Sequence, residues 1–179
     1  MSIALSFVPF IAFAVLNGPL GAVGALLAAA LASAALVLRG LLTGAAPKIL
    51  ELGSLVLFIG LALWSWAAGG GLSIVGTKLA VDVGLLIIVL LSMATGRPFT
   101  LQYARERVPR DLWDNPRFLW VNQVITGVWA LNFLAVTIVE LAMLLDPAVP
   151  AFVCTIVMVA ALAAAIRFTQ WYPKRAAAR

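Results

Sequence analysis

Polar side chains are sparse along this chain and gather in short clusters. The apolar runs between those clusters have the lengths of membrane helices rather than of soluble elements. The first, Ile3 to Leu16, contains Pro9 and ends at the turn signal Asn17-Gly18-Pro19. It is shorter than the ~17 residues a straight span needs, so a first membrane helix is expected that is incomplete or re-entrant. The Ala12-Phe13-Ala14 triplet looks like a leader-cleavage site, but no Lys or Arg precedes it, which favours a retained helix over a signal peptide. Ala22 to Leu38 follows, dominated by Ala and Gly and closed by Arg39. Small residues let helix backbones approach closely in lipid, so this helix is expected at the centre of the packing.

After a short polar loop, Pro47 suits the first turn of a helix over Ile49 to Ala67, which ends in Trp64 and Trp66 as interfacial anchors. Gly69-Gly70-Gly71 reads as a turn, and Ser73 as the cap of a helix from Ile74 to Ala94. Gly96 to Asn132 then holds the only long polar segment. Phe99 to Val108 predicts a short amphipathic helix on the membrane surface, ended by Pro109. Asn115 and Pro116 form a cap and first residue for a helix reaching Leu145. At 1.5 Å per residue that helix is on the order of 45 Å long, so its first turns, with Arg117 and Trp120, belong among headgroups. Asp146-Pro147 ends it. The last helix runs from Pro150 to about Trp171-Tyr172, with Pro173 as its stop.

Composition agrees with this pattern. Hydrophobic residues make up 64% of the 179, charged residues 11%, and mean hydropathy is +1.12. So apolar a chain cannot cover its surface with polar groups, and in lipid its backbone must be satisfied within each segment. The expected class is all-α: residues 1–179 as one integral membrane domain, a bundle of six transmembrane helices, or five if the first does not span. The 97–117 segment is its basic cytoplasmic loop. Pro47-Lys48-Ile49-Leu50 and Pro116-Arg117-Phe118-Leu119 resemble each other at an offset of 69 residues (47 to 116). Phe99-Thr100 with Phe168-Thr169, and Tyr103 with Tyr172, share that offset, which raises the alternative of duplicated helical hairpins.

The net charge of +5 does not point to nucleic acid, because the basic residues sit at helix ends. Arg39, Lys48, Arg97, Arg105, Arg107, Arg110, Arg117, Arg167, Lys174, Arg175 and Arg179 all fall on one side of the threading, and only Lys78 lies near the other. The positive-inside rule therefore places the carboxyl end, and with six spans both ends, in the cytoplasm. The chain has no His and one Cys, Cys154. That excludes a Cys/His metal site, a His-ligated haem, and catalysis by Ser-His-Asp or Cys-His. No cofactor, no metal and no enzymatic reaction are expected.

Two groups of residues could carry function. Asn122, Thr126 and Glu140 fall on one face of the long helix, with Trp129 and Phe133, and Lys78 and Asp82 stand four residues apart on another. Together these five could line a polar pathway for an ion or solute. Hydrogen bonding between helices explains Asn122 and Thr126 as well, and an ion pair explains Lys78 with Asp82. Arg97, Arg105, Arg107, Arg110 and Arg117, interspersed with Glu106, Asp111 and Asp114, form either a solvated anchor or a surface for anionic lipid or a protein partner. Glu51 and Arg167, near helix ends, are expected to snorkel to the surface.

The run Gly96-Arg97-Pro98-Phe99, the basic-acidic stretch after it, Leu112-Trp113, Pro116 and the Asn122, Thr126, Trp129 spacing resemble the bacterial intracellular septation protein A type of inner-membrane protein. The resemblance covers about a third of the chain. It implies a protein of cell-envelope maintenance and division with no established enzymatic reaction. A non-enzymatic inner-membrane protein acting through helix and loop contacts is therefore the leading expectation, with membrane lipids and a protein partner as its contacts. A small transporter or channel is the alternative, and a lipid-modifying enzyme a distant third.

Overall fold

The computed structural model describes residues 3–69, 73–146 and 148–177. Gly70 and Gly71 of the expected turn, Pro147 and the terminal Arg179 lie outside them. Among the described residues every regular element is helical. In order these are α1 (Ile3–Ser6), α2 (Val8–Leu16), α3 (Gly21–Leu42), α4 (Ile49–Ala67), α5 (Ile74–Ala94), α6 (Phe99–Arg105), a 3-10 turn (Arg110–Leu112), α7 (Pro116–Leu145) and α8 (Ala151–Ala177). Five of them, α3, α4, α5, α7 and α8, are long and apolar enough to cross a membrane, so by length and composition this is a multi-pass membrane protein. The chain divides into two compact units, residues 1–88 and 89–179, with the boundary inside α5.

In the first unit the expected first helix is broken at Phe7 into pieces of 4 and 9 residues, with Pro9 in the opening turn of the second. Neither piece meets the length of a straight span. Their side chains nevertheless touch α4 at its first turn and its middle, and α5 at its start. Ser6 donates to Glu51 in the first turn of α4 (3.1 Å), and the rings of Phe10 and Phe13 lie 5.0 and 6.0 Å from Phe58 in its middle. Asn17 then donates to the carbonyl of Ile74 at the start of α5 (3.4 Å). The core of this unit is built from Phe13, Phe58 and the small residues Ala25, Ala29, Ala30 and Ala62, with Leu26 and Val81. The Ala-rich α3 packs against both α2 and α4, and Ala25, Ala29 and Ala30 on its buried face let those helices approach closely. Glycine does the same between α4 and α5, where Gly53 faces Ile88 and Gly84 faces Leu57 so closely that an added Cβ would meet them at 2.9 and 2.2 Å.

Arg39 does not close α3. The helix continues to Leu42, and Thr43 ends it by folding its hydroxyl back onto the carbonyls of Arg39 and Gly40 (2.9 and 3.1 Å).

In the second unit α5 ends in a Schellman turn. Gly96 takes a left-handed conformation (φ 69°), its N–H donates to Met93, and the Arg97 N–H donates to Ser92. The Ser92 hydroxyl donates to the carbonyl of Val89 (2.7 Å) and accepts the Phe99 N–H (3.1 Å), so it satisfies a free donor at the start of α6. Gly-Arg-Pro-Phe is therefore a hinge: glycine for the positive φ, proline for the extended cap, and Ser92 for the orphan N–H.

α6 is present as expected but is shorter, and it does not present one dry and one wet face. Phe99, Thr100, Leu101 and Tyr103 are all buried, and the helix packs on α7. Asn115 caps α7 through Oδ1 to the Arg117 N–H (2.9 Å). Pro173 does not stop α8, which runs through it to Ala177. Proline inside a helix loses one ladder hydrogen bond and crowds the carbonyl four residues back, and the turn beyond is held by the Arg117 guanidinium, which donates to the carbonyl of Ala176. The proposed repeat is not confirmed by these elements, since Thr100 sits in a separate short helix and Thr169 inside the continuous α8.

Candidate functional site

The most developed polar arrangement lies where α6 crosses α7. Thr100 projects from the first turn of α6, positioned by the Gly96 hinge. Its hydroxyl donates to the backbone carbonyl of Asn122 (3.1 Å) and lies 2.7 Å from the Thr126 hydroxyl. A hydroxyl has one proton, so if Thr100 donates to Asn122, Thr126 donates to Thr100. The Asn122 side chain donates to Phe118 one turn back (2.9 Å). Below this chain Phe99 meets Trp129 edge-on (6.4 Å, 79°), and the Trp129 indole N–H donates to Thr169 of α8 (3.0 Å). Thr169 in turn donates to Ala165 (2.8 Å). Side chains of α6, α7 and α8 are thereby tied together at one level, in a region where Asn122, Thr126 and Trp129 are all buried.

The face read from the sequence is the buried face of α7. Asn122, Thr126, Trp129, Phe133 and Glu140 all lie on it, and Asn132 adds a polar residue the sequence reading did not single out. Asn122 and Thr126 direct their hydrogen bonds at neighbouring backbone and at Thr100. Glu140 is 2% exposed and lies five residues before the end of α7, in the second unit. Lys78 and Asp82 belong to α5 in the first unit and are half-buried.

The arginines of the 97–117 segment divide into two kinds. Arg105 is internal to the loop: its guanidinium lies over the Trp113 ring (5.2 Å), donates to the Trp113 carbonyl (3.3 Å) and sits 3.7 Å from Asp114. Arg110 flanks the same ring at 5.7 Å. Arg97, Arg107, Arg110 and Arg117 are exposed. The segment is thus an ordered knot around Trp113 that turns guanidinium groups outward.

Glu51 does not snorkel. It is 2% exposed, accepts from the fully buried Ser6, and lies one turn from the buried Lys48. The first turn of a helix favours a carboxylate, and Ser6 supplies a donor, which together make the interior tolerable. The sequence carried a signal for this: Ser6 is an isolated hydroxyl in an apolar run and Glu51 an acid at a helix start.

Among the described residues no three His, Cys, Asp or Glu side chains gather as a metal site requires. An apolar groove between α3 and α4 is lined by Val23, Leu27, Ile59, Ala62, Leu63 and Trp66, with no ionisable group to act on a solute. Compared with protein-family models, curated proteins and solved structures, the chain matches none.

Proposed function

We propose that the chain is a non-enzymatic protein of a bacterial inner membrane, and that it acts in envelope maintenance or division through helix contacts and its cytoplasmic 97–117 loop. The observation that carries this reading is the Thr100, Asn122 and Thr126 chain of hydrogen bonds. Polar side chains that could have lined a path instead fasten α6 to α7, and that joint holds the arginine-rich loop in a fixed shape. The resemblance of Gly96-Arg97-Pro98-Phe99 and its surroundings to septation protein A supports the envelope role. Six crossings with both ends cytoplasmic are supported by the register of α1 and α2 along α4, from Glu51 to the start of α5. Capture from detergent with the intact chain, beside Arg107→Gln/Arg110→Gln, tests the loop. Recovery of a partner by the parent and its loss in the variant is expected, and no partner with either chain rejects the reading.

Glu140 favours a second reading, a small ion or solute transporter. A buried carboxylate within a membrane helix is costly, and such residues mark proton or ion routes. Flux in reconstituted vesicles, compared with Glu140→Gln, decides it: no flux rejects the class, and flux that survives the substitution rejects Glu140 as its carrier.

A further inference from the structure

The two long helices of the second unit meet at one end with an unusual repetition. On α7, Arg117 is exposed and Trp120, one turn further along the helix, is 64% exposed. On α8, Arg175 and Lys174 are exposed, and Trp171, one turn deeper, is 48% exposed and carries the Arg175 guanidinium over its ring at 5.2 Å. The helices are antiparallel neighbours, and the Arg117 guanidinium donates to the Ala176 carbonyl, so the two pairs are brought to the same end. Each helix therefore presents cations at its tip and an indole ~4.5 to 6 Å further in. Indoles settle at the headgroup level of a membrane, so cations at the tips beyond them are placed to meet phosphates.

Charge compensation separates this end from the loop. Glu106, Asp111 and Asp114 lie among the loop arginines, and Asp114 contacts Arg105. Neither α7 from Pro116 to Asn132 nor α8 from Ala151 to Ala177 contains an acidic residue. Arg117 uses part of its five-donor fork on Ala176 and retains the rest. Three cations with no acid on the nearby part of either helix, placed above two exposed indoles, are complementary to an anion that comes with acyl chains.

We propose that Arg117, Lys174 and Arg175, with Trp120 and Trp171 beneath them, bind the headgroup of one anionic phospholipid at the joined ends of α7 and α8. The lipid phosphate meets the cations, and its acyl chains run along the apolar sides of the two helices. The proposal rests on the membrane-spanning class and not on a protein partner for the loop.

Native mass spectrometry of the full chain, reconstituted in mixed phosphatidylcholine and phosphatidylglycerol and released into neutral detergent, tests it. The parent should retain phosphatidylglycerol preferentially. Lys174→Gln/Arg175→Gln should lose at least fivefold of that retention, Lys174→Arg should keep it, and Arg107→Gln/Arg110→Gln in the loop should leave it unchanged. Equal retention of the two lipids overturns the proposal. So does an equal loss in the loop variant, which would make the effect diffuse charge. Soluble glycerol phosphate should not compete; displacement of the lipid by it would assign the cations to a free phosphate ester and overturn the lipid. Because Lys174→Arg keeps the charge, it reports on the site even if the double variant fails to fold. The loop's partner capture can fail while the lipid preference persists, so the two readings separate.

Discussion

The hydroxyl of Thr100 ties α6 to α7. It lies 2.7 Å from Thr126 and donates to the Asn122 carbonyl, in a place where neither water nor lipid can substitute. Hydrogen bonds between membrane helices average about 0.6 kcal/mol and reach about 1.7. Thr100→Val and Thr126→Val should each destabilise the folded protein by about that range. Their double variant should show a coupling of at least ~0.5 kcal/mol, because each single change removes the same contact. Unfolding in mild detergent, followed by far-ultraviolet dichroism for the four chains of the cycle, measures it. Additive losses would mean that the two hydroxyls do not act on each other. The sequence located Thr126 on the correct face but paired it with nothing, since Thr100 is 26 residues away. Periodicity reports which face a residue occupies and not what arrives opposite it.

At the scale of elements, the limits of α4, α5 and α7 follow directly from the apolar runs and their caps, Ser73 and Asn115 among them. Proline and arginine as end markers were less reliable. Pro173 sits inside α8 and Arg39 inside α3, because a helix ends where its last carbonyls find other donors, and in both cases a nearby side chain steadies the extra turn. The burial of α6 was not legible either: its seven residues look amphipathic alone, and only the Gly96 hinge turns them onto α7. The glycines offer a test of these differences. Gly96 has a positive φ and open space around it, so Gly96→Ala should cost about 1–2 kcal/mol from backbone conformation alone. Gly84→Val should cost about 1–3 kcal/mol by overpacking, since a Cβ there would lie 2.2 Å from Leu57. Gly60→Ala, with nothing near it, should be neutral or stabilising. If all three behave alike under thermal unfolding, the hinge and the close approach of α4 and α5 are both misread.

At the scale of the molecule, the question is how many times the chain crosses. Length alone counts five helices, and an odd number would leave the two ends on opposite sides. The proposed sixth crossing rests on the contacts of α1 and α2. Ser6 stands beside Glu51 at the start of α4, Phe10 and Phe13 beside Phe58 at its middle, and Asn17 beside Ile74 where α5 begins. Under that proposal the segment follows the first half of α4 and reaches the start of α5, although a break at Phe7 divides it. Polar anchors make this affordable at both ends: Ser6 reaches a carboxylate and Asn17 a backbone carbonyl. Cysteine labelling in intact cells, on a Cys154→Ser background, checks the count. A membrane-impermeant maleimide should modify Gly18→Cys from outside and spare Ile3→Cys, Thr43→Cys and Arg107→Cys until the membrane is opened. Labelling of Thr43→Cys from outside would reverse the orientation, because the loop before α4 would then be external. Labelling of Ile3→Cys from outside, with Gly18→Cys also labelled and Thr43→Cys protected, would mean that the first segment does not cross and that the five-span count is correct.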